Sequence, residues 1–305
     1  MKISVPFDVD DKHKKMGESI LRGNEVDWNM KDGLGEIMLV LDNDFPRNEK
    51  VRFIQTLKAG VDNIDFSSVP ESTIVASNAG AYSISVAEHA FALLLERTKR
   101  MSERINETKR GIYNPKETEL LYGKTMGIIG YGGIGSRVAM LSKAFGMKVI
   151  AVWRSYRDGN ADEFYRMDEL DTVLSNSDFV LITVPLTRKT FGLIGRRELE
   201  LLKKDSIIIN VARAEIVKEN DLLDFIKSRS DVSYLTDVWW NEPKLENSGI
   251  ENIAVTPHIA AGLSEDVMDM VYRQAFENIK RFIDGKPVEG IVSRDEYLEM
   301  GSRKQ

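Results

Sequence analysis

The segment GIIGYGGIGSRVAMLSKAFGMKVIAVWRSYR, residues 127–157, contains the glycine pattern GxGxxG at residues 130–135. An apolar strand-like run precedes the pattern. A helical pattern follows, with apolar positions at Ile134, Val138, Leu141 and Phe145, and then a second strand-like run. Strand, glycine loop, helix and strand in this order are the context in which the motif binds a dinucleotide. The segment therefore predicts a doubly wound α/β domain that binds a dinucleotide.

The glycines of the motif have separate predicted roles. Gly130 allows a tight turn, Gly132 lets the backbone approach a pyrophosphate, and Gly135 allows the helix to pack closely against the strand. The start of the helix, at Gly133 and Ile134, offers N–H groups and positive potential to the phosphates. A glycine-rich turn without a ligand is the alternative, and the complete context of the motif disfavours it.

The end of the second strand bears on the choice of cofactor. Domains that bind NAD commonly carry an acid there, which accepts a hydrogen bond from the ribose 2′-hydroxyl. Here the strand ends in Trp153, and Arg154, Ser155 and Arg157 follow. A carboxylate would repel a 2′-phosphate, whereas arginines pair with it. We therefore expect NADP to be preferred. NAD is the alternative, with the arginines as ordinary surface charges.

Short β-rich runs alternate with helical patterns along the chain, which predicts parallel sheets with helices on both faces. The first strand-like runs lie at 2–5, 36–41, 51–57 and 73–78, and the run at 51–57 is also compatible with a helix. A long helical pattern follows at 83–110. Six further runs are enough for a complete dinucleotide domain; they lie at 125–130, 148–153, 178–184, 206–211, 232–238 and 252–257. A last helix is predicted at 264–282.

Composition narrows the class of protein. A chain of 305 residues is long enough for two domains. The net charge of -6, with lysines and arginines spread along the chain, disfavours a nucleic-acid-binding surface. The absence of cysteine excludes disulfides and thiolate chemistry. No run approaches the roughly 20 apolar residues of a membrane span, and the N-terminus does not resemble a signal peptide. We expect a soluble, cytoplasmic protein without a metal site.

Three polar residues follow strand-like runs of the second series: Arg213, Glu242 and His258. Because the carboxyl ends of parallel strands line one crevice, all three are expected to face it. Arg213 would bind the carboxylate of a 2-oxo acid and polarise its carbonyl. His258 would exchange a proton with the carbonyl oxygen, and Glu242 would orient the imidazole and favour its charged form. Each residue alone is commonly a surface or loop residue, so the prediction depends on their joint order.

The sequence resembles the D-isomer-specific 2-hydroxyacid dehydrogenase family over nearly its whole length. The resemblance lies in the order and spacing of KAGVDNID (58–65), SVAEHAFALLL (85–95), YGKTMGIIGYGGIG (122–135), VPLTRKTFGLI (184–194), IINVARAEIV (208–217), DVWWNEP (237–243) and TPHIAAG (256–262). It implies that Arg213, Glu242 and His258 are the catalytic residues. It also implies further contacts: Asp237 near the nicotinamide carboxamide, Val211 and Ala212 beside the nicotinamide ribose, Thr187 on the adenosine side, and Gly60 and Val61, with Arg213 and His258, on the substrate.

The resemblance also implies an architecture of two doubly wound parallel-sheet domains. A flavodoxin-like substrate domain would comprise residues 1–99 and 285–305, and a Rossmann cofactor domain residues 100–284. Members of the family are usually homodimers built through the cofactor domain. The expected activity is the NAD(P)H-dependent interconversion of a small 2-oxo acid and its D-2-hydroxy acid, as in glyoxylate or hydroxypyruvate reductases.

Some positions depart from the family pattern. Ala214 stands where glycine is usual, and Tyr82 stands where asparagine is frequent. Glu242 disfavours the formate dehydrogenases of the superfamily, which pair their histidine with glutamine. No C-terminal regulatory segment is expected, which favours the shorter members. Two alternatives stay open: a dinucleotide sensor with little turnover, similar to the corepressors that share this fold, and an enzyme acting on a non-carboxylate substrate such as phosphite.

Overall fold

A computed structural model of the protein describes residues 1–30, 34–41, 45, 49–153 and 159–297. The chain forms two compact units. The first comprises Met1–Tyr82, Thr187–Lys189 and Leu263–Gln305, and the second comprises Ser83–Leu186 and Thr190–Gly262. Each unit is built on one parallel sheet, so the α/β class predicted from the alternating pattern is confirmed.

The sheet of the first unit has five strands: β1 (Lys2–Val5), β2 (Glu25–Trp28), β3 (Ile37–Val40), β4 (Phe53–Thr56) and β5 (Ile74–Ala76). Their order is β2-β1-β3-β4-β5, with every neighbouring pair parallel. This is the flavodoxin-like order. Every residue of β3 and β4 is buried, as expected of central strands covered on both faces.

The sheet of the second unit has seven strands: β6 (Thr125–Ile129), β7 (Lys148–Val152), β8 (Glu163–Tyr165), β9 (Phe179–Ile182), β10 (Ile207–Asn210), β11 (Ser233–Thr236) and β12 (Ile253–Val255). Their order is β12-β11-β10-β9-β6-β7-β8, again all parallel. The six strands from β6 to β11 have the Rossmann order, and β12 extends it at one edge. The strand order reverses at β6: β7 and β8 lie on one side of it, and β9 to β12 lie on the other.

The helices are α1 (Asp11–Ile20), α2 (Ser83–Lys99), α3 (Met101–Lys109), α4 (Gly133–Ala144), α5 (Leu170–Asn176), α6 (Arg196–Glu200), α7 (Glu219–Ser228) and α8 (Glu265–Ile283). In the first unit, α8 buries Val271, Tyr272, Phe276 and Ile279 in one hydrophobic cluster with residues of β1, β3 and β4. In the second unit, α2 packs against α4, β10 and β11.

The elements differ from the predicted ones in a few places. Residues 53–56 form a strand, which excludes the helix that the run at 51–57 also allowed. The short strands β2 and β8 were not predicted. The helical pattern at 83–110 forms two helices, because Arg100 adopts a left-handed backbone with φ of 51° between α2 and α3.

The compact units also differ from the predicted domain boundaries at two helices. The boundaries assign residues 83–99 to the substrate domain, but α2 lies in the second unit, where it packs against α4. They assign residues 265–283 to the cofactor domain, but α8 lies in the first unit, where its apolar face is buried. In both cases the apolar face of the helix, rather than its position along the chain, decides which sheet it covers.

Candidate active site

The glycine loop follows β6 at the point where the strand order reverses. Gly130 has φ of 105°, a conformation that L side chains rarely adopt, and a Cβ there would lie 2.7 Å from the backbone nitrogen of Val184. Thr183 holds the turn, since its hydroxyl donates to the Gly130 carbonyl oxygen at 2.7 Å. The sequence offered no signal for Thr183, because it lies 53 residues from Gly130 in a strand-like run.

Gly132 and Gly135 meet different surroundings. Gly132 is extended and occupies the N-cap position of α4, and apart from the adjoining residues no described atom lies within 4 Å of a Cβ built on it. The first backbone N–H groups of α4, at Gly133 and Ile134, have no acceptor inside the helix and lie beside this open space. A Cβ on Gly135 would instead lie 2.3 Å from the Gly130 carbonyl oxygen. The loop thus combines tight internal packing with an open helix terminus that fits a pyrophosphate.

Tyr131, inside the glycine motif, is buried in an aromatic cluster. Its ring meets Phe164 edge-on at 4.9 Å and Trp153 edge-on at 6.3 Å. Its hydroxyl accepts a hydrogen bond from the Asn160 backbone N–H at 2.7 Å. Trp153 therefore contacts the glycine loop from the end of β7. The other residues predicted to set the cofactor preference, Arg154, Ser155 and Arg157, lie outside the described residues.

The turn after β10 is organised by the buried Asn210. Its amide nitrogen donates to the Arg213 carbonyl oxygen at 2.9 Å, and its amide oxygen accepts from the Ala212 N–H at 3.0 Å. The same nitrogen donates to the Tyr234 hydroxyl at 3.1 Å. Complete burial raises the pKa of Tyr234 to about 12, so that hydroxyl stays neutral. Asn210 thereby fixes the backbone of Val211, Ala212 and Arg213.

Arg213 is half-buried at the carboxyl end of β10, and its Nη1 donates to the Ala212 carbonyl oxygen at 2.8 Å. The next residue, Ala214, begins a short 3₁₀ turn at Ala214–Ile216 and does not have a positive φ. Alanine therefore replaces the usual glycine at this position without backbone strain.

Glu242 and His258 form a hydrogen-bonded pair. Nδ1 of His258 lies 2.8 Å from Oε2 of Glu242, and Oε1 of Glu242 accepts the Trp239 backbone N–H at 2.8 Å. Because a carboxylate only accepts, Nδ1 carries a hydrogen, which leaves Nε2 to exchange a proton with a ligand. The side chains keep 46% and 36% of their surface exposed, for His258 and Glu242 respectively. Hydrogen bonds therefore hold the Glu242 carboxylate and the Nδ1 side of the His258 ring, while part of the ring stays accessible to a ligand.

His258 has a strained backbone. Its φ is 55°, in the left-handed region that non-glycine residues occupy at a cost of roughly 1–3 kcal/mol. The buried carboxylate of Asp237 holds the loop on both sides of it. Oδ1 accepts from the Thr256 hydroxyl at 2.6 Å and from the Ile259 N–H at 2.9 Å, and Oδ2 accepts from the Ala260 N–H at 2.7 Å. Asp237, which the resemblance places near the nicotinamide carboxamide, thus anchors the loop that carries His258.

The glycine loop and the polar residues described above all lie at the carboxyl ends of strands of the seven-stranded sheet. The glycine loop follows β6, Arg213 follows β10, Asp237 follows β11, and His258 follows β12. Adjacent strands are about 4.8 Å apart, and one strand separates β10 from β12. The structure therefore brings Glu242 and His258 into contact and places Arg213 at the same end of the sheet, after a strand two positions from the one that leads to His258.

Gly60, Val61 and Thr187 belong to the first unit. Gly60 and Val61 follow β4, where the Leu57 carbonyl oxygen accepts from Asn78 Nδ2 at 3.1 Å and from the Tyr82 hydroxyl at 3.2 Å. Burial raises the pKa of Tyr82 to about 12, which keeps the hydroxyl a donor. Thr187 is buried, and its hydroxyl accepts from the Lys189 N–H at 3.2 Å. Tyr82 thus supports the turn before Gly60.

Within the described residues, no helix combines the length and the apolar character needed to cross a bilayer.

The strand order and the glycine loop are those of a dinucleotide-binding α/β domain, and a histidine–carboxylate pair lies at the same end of its sheet. Residues 91–260 match the family model for the D-isomer specific 2-hydroxyacid dehydrogenase NAD binding domain. A glyoxylate reductase from Thermococcus gammatolerans is 31% identical over 253 residues, which cover 77% of this chain and 75% of the relative. The chain belongs to the D-isomer specific 2-hydroxyacid dehydrogenase family, and its second unit contains a domain that binds a nicotinamide dinucleotide.

Two further comparisons differ in coverage. The crystal structure of a glycerate dehydrogenase related protein from Thermoplasma acidophilum is 44% identical, with a TM-score of 0.73 over 93% of this chain and 100% of that chain. A D-3-phosphoglycerate dehydrogenase from Methanocaldococcus jannaschii is 34% identical over 254 residues, 80% of this chain but 48% of the relative. The chain thus spans about half the length of that relative.

Proposed function

We propose that the protein is an NAD(P)H-dependent oxidoreductase that interconverts a small 2-oxo acid and its D-2-hydroxy acid. The observation that carries this proposal is the 2.8 Å contact between His258 Nδ1 and Glu242 Oε2 at the carboxyl edge of the dinucleotide-binding sheet. A proton donor at this place, beside a hydride source, matches the requirements of carbonyl reduction.

Each site residue has a separate role in the proposed reaction. A nicotinamide dinucleotide held at the glycine loop would supply the hydride for the carbonyl carbon. His258 donates the proton on Nε2 to the carbonyl oxygen as the carbonyl double bond opens, and takes it back in the oxidation. Glu242 stabilises the imidazolium and keeps the ring in place. Arg213 binds the carboxylate of the substrate and polarises the carbonyl, since a guanidinium can pair with both groups. Gly130, Gly132 and the start of α4 hold the pyrophosphate.

We assign the remaining predicted contacts in the same way. The first unit is the substrate domain, in which backbone N–H groups of Gly60 and Val61 bind the substrate carboxylate. The second unit is the dinucleotide domain. There, Val211 and Ala212 lie along the nicotinamide ribose, and Asp237 lies near the carboxamide. Thr187 contacts the adenosine part of the cofactor.

The substrate is a small acid in this proposal. Relatives named glyoxylate reductase and glycerate dehydrogenase related protein support glyoxylate and hydroxypyruvate as first candidates. The first test is the initial rate of NADPH and of NADH oxidation with each acid, at equal subsaturating cofactor. Turnover with either acid supports the proposal. No turnover over a wide panel of 2-oxo acids, together with cofactor binding, would favour a sensor. Reduction of NAD(P)+ with phosphite, without activity on any 2-oxo acid, would favour a non-carboxylate substrate.

NADP is the proposed preferred cofactor, because Arg154 and Arg157 follow the strand end where an acid is usual. Replacing both arginines by glutamine is expected to lower kcat/KM for NADPH by roughly tenfold or more for each charge removed. The value for NADH is expected to stay within about threefold, because NADH has no 2′-phosphate to lose a contact.

The matched control is Arg166→Gln. Arg166 is an exposed arginine that pairs with Asp168 at 3.4 Å, and this substitution should leave both cofactors unaffected. If the double variant lowers NADPH and NADH use equally, or if the wild-type protein prefers NADH, the arginines do not select the cofactor.

We also propose a homodimer formed through the second unit. Three large side chains between α3 and β6 expose most of their surface: Tyr113 (90%), Leu120 (67%) and Tyr122 (77%). If these side chains form one exposed apolar patch, it is a candidate for a protein–protein contact. Light scattering should give twice the 34.5 kDa of one chain, and Leu120→Lys with Tyr122→Lys should shift the mass toward the monomer. A wild-type monomer would contradict the proposal.

The partners proposed are thus a small acid, a nicotinamide dinucleotide and a second copy of the chain. The net charge of -6 supports neither a nucleic-acid surface nor attraction to anionic lipid. The absence of cysteine fits a cytoplasmic location.

A further inference from the structure

Helix α2 is hydrogen-bonded to the loop that carries His258, through two side chains that no prediction singled out. Nε2 of His89 lies 2.9 Å from the Thr256 hydroxyl, and the Ser85 hydroxyl donates to the Ala260 carbonyl oxygen at 2.8 Å. The two contacts lie on either side of His258 along the chain. All of these residues belong to the second unit, so they form one local network.

The direction of the hydrogen bonds in this network follows from the chemistry of its members. Thr256 has one hydroxyl hydrogen, and the closest acceptor for it is Asp237 Oδ1 at 2.6 Å. A carboxylate only accepts, so the hydroxyl donates to Asp237 and presents a lone pair to His89. Nε2 of His89 must then carry the hydrogen in that contact. Nε2 of His89 also lies 3.6 Å from Asp237 Oδ1, so the three residues form one cluster in which the Thr256 hydroxyl bridges the other two.

The loop needs such support. Pro257, His258 and Ile259 are all exposed, and His258 keeps its left-handed backbone without burial of its own side chain. A strained conformation persists only where its surroundings over-determine it. The Asp237 carboxylate and α2 supply those surroundings. Since α2 also packs against α4, β10 and β11, it is a rigid support for the His258 loop.

We propose that His89 and Ser85 on α2 are positioning residues that hold the His258 loop, through Thr256, Asp237 and Ala260, in the conformation that proton transfer requires. The inference rests on the proposed acid–base role of His258. His89 does not touch the substrate in this proposal. It acts by donating one hydrogen bond, so a side chain that keeps the donor should replace it.

The test compares two substitutions at one position. His89→Phe keeps a ring but removes the donor, whereas the amide nitrogen of His89→Gln reaches about as far as Nε2. We expect His89→Phe to lower kcat by roughly tenfold to a hundredfold, the range that a displaced catalytic group produces. The solvent deuterium isotope effect on kcat should rise, because proton transfer becomes slower. The Kd of the cofactor should stay within about twofold. His89→Gln should recover most of kcat.

The control is Arg97→Met on the same helix. Arg97 Nε donates to the Ser233 hydroxyl at 2.8 Å, so this substitution also removes one bond from α2 to the sheet, but at a distance from the loop. The proposal is overturned if His89→Phe retains kcat, if His89→Gln is as impaired as His89→Phe, or if Arg97→Met causes the same loss.

A measurement without turnover separates this inference from the proposed function. The amides of Ile259 and Ala260 donate to Asp237, and their hydrogen exchange reports whether the loop is held. We expect exchange to become about tenfold faster in His89→Phe and to stay unchanged in Arg97→Met. If the wild-type protein reduces no 2-oxo acid, the proposed function fails, and exchange still tests the positioning of the loop. Unchanged exchange in His89→Phe would refute the inference even for an active enzyme.

Discussion

His258→Asn is expected to lower kcat for 2-oxo acid reduction by roughly 10²- to 10⁴-fold, the usual contribution of a positioned general acid. Asparagine is a matched replacement here for two reasons. It tolerates the left-handed backbone that His258 adopts at φ of 55°. Its amide nitrogen can also donate to Glu242 as Nδ1 does, while nothing replaces Nε2. The loop should therefore be preserved and only the transferable proton lost.

Two further measurements test whether His258 acts as the proton donor. The Kd of the cofactor should be unchanged, because the glycine loop lies at β6 and His258 at β12, on the far side of β9, β10 and β11. Glu242→Gln should show a smaller loss of kcat, since it keeps a hydrogen-bonding side chain beside His258 and removes only the charge. A kcat for His258→Asn within about threefold of the wild-type value would show that another group donates the proton.

Gly132→Ala and Gly135→Ala are expected to separate cofactor binding from stability. A Cβ at position 135 would lie 2.3 Å from the Gly130 carbonyl oxygen, a backbone atom that cannot move without disturbing the turn. Overpacking of this kind costs roughly 1–3 kcal/mol. The melting temperature of the free protein should therefore fall, and cofactor affinity should fall with it.

Gly132→Ala should behave differently. Apart from the adjoining residues, its Cβ meets no described atom within 4 Å, and its extended backbone suits alanine. The melting temperature of the free protein should thus stay within about a degree or two, because no packing changes. The Cβ would point into the space proposed for the pyrophosphate, so the Kd should rise by roughly tenfold or more. Calorimetry and fluorescence titration measure the two quantities. Unchanged cofactor affinity in Gly132→Ala would place the pyrophosphate elsewhere.

The parts of the fold that the sequence predicted are those with strong local patterns. Central strands such as β9 and β10 are apolar at nearly every position because both faces are buried. The edge strands β2 and β8 were not predicted, because each is short, half-exposed and carries charged residues. The break at Arg100 lies in a run of charged residues that is equally compatible with one helix or two.

The site divides in a similar way. The glycine loop, Arg213, Glu242 and His258 could be predicted because glycine patterns and polar residues after strands are visible along the chain. His89, Thr183 and Asn210 could not be predicted, since their roles depend on partners that only the fold supplies. His89 and Thr256 are 167 residues apart, and no local pattern links them.

The class of fold, the glycine loop and the family could be predicted from the sequence alone, because they depend on patterns within a few turns or strands. The sheets that α2 and α8 cover, and the way Asp237 and α2 hold His258 in a left-handed conformation, could be found only in the folded molecule. These features depend on burial and hydrogen bonding between distant segments. Residues of ordinary type acquire such roles only when packing brings their partners within reach.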